Sequence, residues 1–288
     1  MREYKIEKID FASVEYPEKL RNIPSPPKQL YCAGDVSLLH KKGVGVVGAR
    51  KHTIYGKNVA LMIGRRLAES GVPVVSGLAL GIDAFSHEGA LEADGRVIGV
   101  LGSGINRMGP TRNRDLMMKG LRAGGVVISE YDPDEAATNW TFPERNRIIS
   151  GLSEAVVVVE AGLNSGSLIT AKHAADQGRA IYAVPGNINS QSSIGCNLLI
   201  RDGAVPLVII DDLIRDIGVS SPSGKEASPD LEGDELMIYE AVAGRSGATC
   251  EELIAATGMS ASLFNSLLTV MEIKGLVESY AGRIYITR

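Results

Sequence analysis

The sequence predicts an α/β protein: a doubly wound, mostly parallel sheet, followed by a small C-terminal winged-helix domain. Three observations predict it. Short Val/Ile/Ala runs at 44–47, 72–75, 96–101, 126–129, 155–159 and 180–184 alternate with segments of helical period, the pattern of right-handed βα units. Wholly apolar runs such as Ala155–Val159 suit strands covered on both faces. A Ser/Pro/Gly-rich, charged stretch, residues 218–232, then reads as a linker. The expected division is an N-terminal extension (1–40), a main domain (41–217), the linker and a winged helix (233–288).

With 288 residues there is length for one large domain and a small one, and 44% hydrophobic with 5% aromatic content suits a Val/Ile/Ala/Gly-rich core. Cys32, Cys196 and Cys250 lie far apart and read as reduced thiols of a cytoplasmic protein, not as disulfides or a zinc site. The charged start, MREYKIEKIDF, has no signal-peptide core, and no apolar run approaches the roughly 20 residues of a membrane span. Net charge is −4 but uneven: residues 41–66 hold seven Lys/Arg and no acid, whereas 230–288 hold nine acids and four bases. A basic stripe on a near-neutral body suits a polyanion; the acidic C-terminal part does not.

Taken in order, residues 1–40 contain Pro17, Pro24, Pro26 and Pro27 and predict a short helix, a turn and a strand, LYCAG, too little for a core of their own. GVGVVG (43–48) matches GxGxxG, but its valines are the strand itself and no acid closes the second strand, so a dinucleotide site is not expected. Arg50 and Lys51 sit on the first strand-to-helix turn, before a helix at 56–70. Ser76-Gly77 forms the next turn, with Asp83 as N-cap of a helix at 84–93. His87-Glu88 lacks the second histidine of HExxH, and His87 reads as a packing or hydrogen-bonding residue. After Gly102-Ser103-Gly104 come Arg107, Arg112 and Arg114 and a helix at 113–122. Tyr131, Trp140 and Phe142 gather in the loop 130–142 beside arginines, a mix that can stack bases; Trp140 and Phe142 each either do so or anchor the loop to the core. A helix (167–177), a turn (185–197), a strand (206–210) and a helix (211–217) complete the unit. Beyond the linker, Thr249 and Glu252 form a capping box, a third helix spans 260–274, and two strands pair around Ala281-Gly282. That helix carries only Lys274 as a base, which favours protein contact or autoregulation over duplex binding.

The chemistry concentrates in residues 141–170, TFPERNRIISGLSEAVVVVEAGLNSGSLIT. Arg145, Asn146 and Arg147 precede a helical turn (148–152) and a strand (155–159); Gly162–Ser167 then opens a helix where a doubly wound sheet places ligands. Free N–H groups there favour an anion such as a phosphate. Candidate contacts are Gly48, Arg50, Lys51, Gly102, Ser103, Arg145, Arg147, Asn164, Ser165, Gly166 and Ser167, with Asn146 toward a base or phosphate and Phe142 as a stacking ring. No catalytic set, metal site or cofactor is expected.

The stretches VGARK, SGLALGIDAFSHEGAL, VLGSGINRMGP, SEYDP, FPERNRIISGLS, SGSLITAKHAADQGRAIYAVPG and GCNLLIRDGA, in this order, resemble the DNA-processing protein A (DprA/Smf) family over residues 10–217; the C-terminal part fits too. The resemblance implies an extended Rossmann fold that binds single-stranded DNA, dimerises and loads the RecA recombinase during natural transformation, with no catalytic reaction. The family's Gly-Ser-Arg triad stands here as Gly48-Ala49-Arg50, without the hydroxyl, and residues 1–40 are too short for the sterile-alpha-motif-like domain some members carry. The alternative is a Rossmann-like nucleotide-binding or nucleotide-hydrolysing enzyme, related to the phosphoribohydrolases. Their PGGxGTxxE motif becomes EAGLNSGSLITA, with Ala171 where the catalytic glutamate would stand.

Overall fold

Strand and helix alternate along the chain in the computed structural model, which describes residues 4–107, 111–219, 231, 233–245, 247–280 and 282–286. In chain order the first unit holds β1 (Ile6–Asp10), α1 (Glu18–Arg21), β2 (Gln29–Gly34), β3 (Gly43–Val47), α2 (Ile54–Glu69), β4 (Val74–Ser76), α3 (Ile82–Glu92), β5 (Val97–Val100), α4 (Thr111–Arg122) and β6 (Val126–Ser129). It continues with α5 (Thr141–Leu152), β7 (Ser153–Val158), α6 (Ser167–Asp176), β8 (Ala180–Ala183), α7 (Ile194–Arg201), β9 (Val205–Pro206) and α8 (Ile210–Asp216). The second unit holds α9 (Gly233–Ala243), β10 (Ala248–Thr249), α10 (Cys250–Thr257), α11 (Ala261–Ile273), β11 (Val277–Tyr280) and β12 (Arg283–Ile286).

The large sheet runs β1-β2-β6-β5-β4-β3-β7-β8-β9. Its strands from β6 to β9 are parallel, while β2 pairs antiparallel with β6 and β1 antiparallel with β2. The parallel part begins at β3, winds outward through β4, β5 and β6 to meet β2, then returns to lay β7 on the other side of β3. That reversal is the topological switch point, where the turns after β3 and β7 diverge and leave a crevice beyond the carboxyl ends. Both faces of the sheet are covered: one apolar cluster packs Val156, Val158 and Ile148 with Leu20 and Leu30, the other packs Val44, Val46 and Val157 with Ile63 and Leu67. No single helix among the described residues is long and apolar enough to cross a membrane.

The structure corrects several expectations. The N-terminal segment contributes a strand, β1, that the sequence reading missed; its register on β2 (Ile9 against Leu30) leaves mostly polar residues outward on an edge. Asp83 is not an N-cap: α3 begins at Ile82 with Gly81 (φ 87°) before it, and Asp83 lies buried in the first turn. Arg145, Asn146 and Arg147 lie inside α5, which starts at Thr141, not ahead of a short turn at 148–152. The strand expected at 206–210 is only Val205–Pro206, and Ile210 already starts α8. Of the basic stripe, Arg65 pairs with Glu92, Arg66 with Asp211, and Lys42 donates to the carbonyls of Ile217 and Gly218. Residues 108–110, most of the expected linker (220–230 and 232) and Ala281 lie outside the described residues, as does the side chain of Arg112.

By contact, residues 1–221 and 222–288 form separate compact units. The second is a helix-turn-helix with a three-stranded sheet, β10-β12-β11, around Ile238, Leu253, Phe264, Met271 and Ile284. Thr249 and Glu252 make both bonds of the capping box, and Ser260 caps α11. Lys274 donates to both carboxylate oxygens of Glu235 at 2.8 Å, so the one base near α11 is engaged.

Candidate nucleic-acid interface

The crevice at the switch point is a cleft of about 670 Å3. One wall is the turn after β3, Gly48 to Lys51; the opposite wall is the turn after β7, with Asn164, Ser165, Gly166 and Ser167; Asn139, Phe142, Pro143, Arg145 and Asn146 form a third side. Among the described residues that line it, the cations are Arg50, Lys51 and Arg145, and Asp83 is the single carboxylate.

The β3 turn is held from below. Glu160, at the end of β7, is 2% exposed. Its carboxylate accepts from the Thr53 amide (2.9 Å) and hydroxyl (2.5 Å), and the Thr53 hydroxyl accepts the Gly56 amide at 3.0 Å, capping α2. The Glu160 carbonyl accepts the Ala49 amide at 2.8 Å. Gly48 is needed for packing: a Cβ there would stand 2.7 Å from Ile82. Arg50 projects, exposed, and its guanidinium lies 5.5 Å over the ring of Phe142, a cation–π distance.

Arg145 differs from Arg50 in kind. It is 4% exposed and donates to the carbonyls of Gly77 (2.8 Å) and Val100, fastening α5 to the ends of β4 and β5. Burial lowers its pKa to about 10, with Asp83 pulling the other way, so the charge persists at neutral pH. Burial raises the Asp83 carboxyl; Arg145, the Gly77 and Gly48 amides and the Ser76 hydroxyl oppose that shift without cancelling it. Gly77 sits between the pair, and a Cβ there would meet both the guanidinium (2.5 Å) and the Asp83 carboxylate (2.8 Å).

Asn146 bridges two walls: its amide donates to the Gly166 carbonyl and its Oδ1 accepts from Arg145 Nε, each at 3.3 Å. Across the cleft, the Ser165 and Ser167 hydroxyls share a 2.8 Å hydrogen bond at the N-terminus of α6; the N-cap residue Gly166 offers no side-chain cap, and the Ser167 amide reaches the Ser165 hydroxyl at a long 3.4 Å. Exposed Asn164 and Gly166 complete that turn.

Three expected residues stand elsewhere. Arg147 is outside the cleft: two residues beyond Arg145, it lies about 200° round the helix and holds Glu130 through both carboxylate oxygens, at 2.8 and 2.7 Å. Ser103 is buried, its hydroxyl on the Gly104 carbonyl and its own carbonyl on Ser129. Gly102 lies behind the site, against the Phe142 ring. Asp83, Ala79 and Asn139 line the cleft and were missed; for Asp83 the legible signal was an acid six residues after a Ser-Gly strand end. As for the aromatics, Phe142 is 37% exposed and Trp140 is 79% exposed, so Trp140 does not anchor the loop.

Comparison with known proteins gives the family of the chain. The model for DNA recombination-mediator protein A matches residues 7–218, and that for the DprA winged helix domain matches residues 222–283. The chain is 36% identical to Protein Smf of Escherichia coli over 258 residues, covering 83% of this chain and 69% of that protein. It is 40% identical to DNA processing protein DprA of Bacillus subtilis over 217 residues, 75% of this chain and 73% of the relative. The crystal structure of DprA from Streptococcus pneumoniae superposes with a TM-score of 0.69 at 36% identity, covering 74% of each chain. A Helicobacter pylori DNA processing protein A, described for its single-stranded DNA binding mode, gives 0.67 at 29% identity over 75% of this chain and 96% of that one. The chain belongs to the DNA recombination-mediator protein A family of DNA-processing proteins.

Proposed function

We propose that this chain binds single-stranded DNA in the cleft between the turns after β3 and β7, acting as a homodimer in the cytoplasm to help load a RecA-type recombinase in DNA uptake and recombination. Phosphates meet Arg50, Lys51 and the N-terminal turn of α6; bases meet Phe142 and Asn146. The observation that carries this reading is Arg50 over the exposed Phe142 ring at the mouth of the cleft, opposite the N-terminus of α6, whose N-cap residue is a glycine. A cation and an aromatic face side by side match a nucleotide's charged backbone and flat base, and the Helicobacter pylori relative is described as a single-strand binder. Arg145 belongs beneath this surface, where its charge adds to the potential while its hydrogen bonds hold the walls.

Binding without catalysis fits the same residues. Counted from Gly166-Ser167, the position of the phosphoribohydrolase glutamate falls on Thr170 and not on Ala171 as the sequence suggests; neither is a carboxylate, and each is 1% exposed. The one carboxyl at the cleft, Asp83, is engaged by the Gly77 amide.

The test is anisotropy of a labelled oligothymidylate at several salt concentrations, with an equal-length duplex as control. Salt-sensitive single-strand binding that exceeds duplex binding is expected. Arg50→Ala should weaken it and lower the salt slope by about one, with the melting temperature unchanged because Arg50 is exposed. Equal duplex binding, or turnover of nucleoside monophosphates, overturns the reading. Recombinase loading is checked by the rate of RecA filament nucleation on single strands, and the dimer by sedimentation.

A further inference from the structure

Trp140 is the chain's single tryptophan and is 79% exposed. Several aliphatic side chains are as exposed, Ile54 and Ile188 among them, but Trp140 is the one with a large flat ring, and that ring has no role in the core. It belongs to none of the four apolar clusters. Nor does its loop need it. The Thr141 hydroxyl closes the last turn, accepting the Thr138 amide at 3.1 Å and donating to the Thr138 carbonyl at 3.0 Å. Further back the Asn106 amide holds the Asp134 carboxylate at 2.9 Å, and the Gly104 amide holds the Glu135 carbonyl at 2.8 Å.

Its place in the fold supplies a use. Trp140 is the N-cap residue of α5; Asn139 before it and Phe142 and Pro143 after it line the cleft. Helical spacing sets residue 140 on the flank shared by Glu144 and Arg147, about 200° round the helix from Phe142 but at the same end of it. A strand that leaves the cleft past Phe142 and turns over the N-terminal end of α5 would reach it. The carboxylates there have partners: Arg147 holds Glu130, and the Tyr131 hydroxyl donates to Glu144 at 3.1 Å. Every base has a π-face, so an exposed indole stacks any of them, and with two side-chain torsions it loses little freedom in doing so.

We propose that Trp140 is a second stacking platform, outside the cleft, that takes a base of single-stranded DNA beyond the one on Phe142. The inference rests on the single-strand reading of the cleft, and one titration separates the two. Tryptophan emission and the anisotropy of a labelled oligothymidylate are recorded together on the full chain. Rising anisotropy with quenched emission is expected, since emission reports this residue alone. Trp140→Ala should weaken binding on the order of tenfold with an unchanged salt slope, because stacking releases no counterions. Trp140→Phe should retain most of the affinity, and the exposure of residue 140 means neither variant should alter the melting temperature. Rising anisotropy with unaltered emission, or full affinity in Trp140→Ala, overturns this inference and leaves the cleft reading standing. No rise in anisotropy overturns both.

Discussion

Burying Arg145 carries a desolvation cost that only its fixed partners offset, namely the carbonyls of Gly77 and Val100 and the charge of Asp83. Arg145→Ala would take this donor from those carbonyls and the counter-charge from a buried carboxyl, and is expected to destabilise the chain by about 3–5 kcal/mol. Arg145→Lys should recover little, because one ammonium lacks the planar fork. Denaturant melts check both; full stability with lost binding would instead make Arg145 a direct phosphate ligand. His87 gives a pH prediction of defined sign. It is fully buried, and burial pushes its pKa from 6.5 to about 4, the Val74 carbonyl opposing. A depressed folded pKa means the unfolded chain binds the extra proton, so this stability is complete above pH 6.5 and lost as pH falls toward 4, by roughly 3 kcal/mol. Asp83 acts in the opposite sense, its raised pKa favouring the fold at lower pH. Comparing wild type with His87→Leu across that window therefore isolates the histidine: the difference should fall with pH. Arg145 and Arg147 show what one sequence line conceals. Both read as free cations, yet one is a buried strut and the other half of a part-buried ion pair, because burial is set by neighbours distant in the chain.

At the scale of elements, the turn from β3 into α2 is the part of the site with the most support. Thr53 caps α2 and is held by Glu160 from β7, so the turn carrying Arg50 and Lys51 is tied to the neighbouring strand. Thr53→Ala removes the cap and one partner of a buried carboxylate; a loss of about 1–2 kcal/mol is expected. The same variant should weaken oligothymidylate binding even though residue 53 touches no ligand, because the Arg50 turn loosens. Unchanged affinity would show that the turn is held by Gly48 and the Ala49–Glu160 bond alone. The α6 end of the cleft was legible from Gly162–Ser167, since glycine and serine after an apolar strand announce a helix start. The extent of α5 was not: Trp140 and Pro143 mask its first turn, and the proline sits where a helix tolerates it only because the first-turn N–H groups need no partner.

At the scale of the whole molecule, each unit has its own apolar core. One cluster lies wholly within residues 231–286, while the other three lie within residues 4–219. Every residue lining the cleft falls between positions 47 and 170. A chain ending at residue 221 is therefore expected to fold and to keep its oligothymidylate affinity, by anisotropy and circular dichroism. A large loss would place strand contacts on the winged helix, against the acid-rich surface of that unit and the engagement of Lys274 by Glu235.

By itself the sequence determined the alternation of strands and helices, the turn chemistry at the carboxyl edge and the winged helix, because apolar period, glycine and capping residues act within a few positions of one another. Only the tertiary structure decided that β7 returns beside β3, bringing Arg50 and Ser167 onto facing walls. It alone decided which arginine is buried, and that Asp83 enters the cleft while Arg147 leaves it. Such outcomes depend on contacts between residues tens of positions apart, whose energies no local pattern encodes.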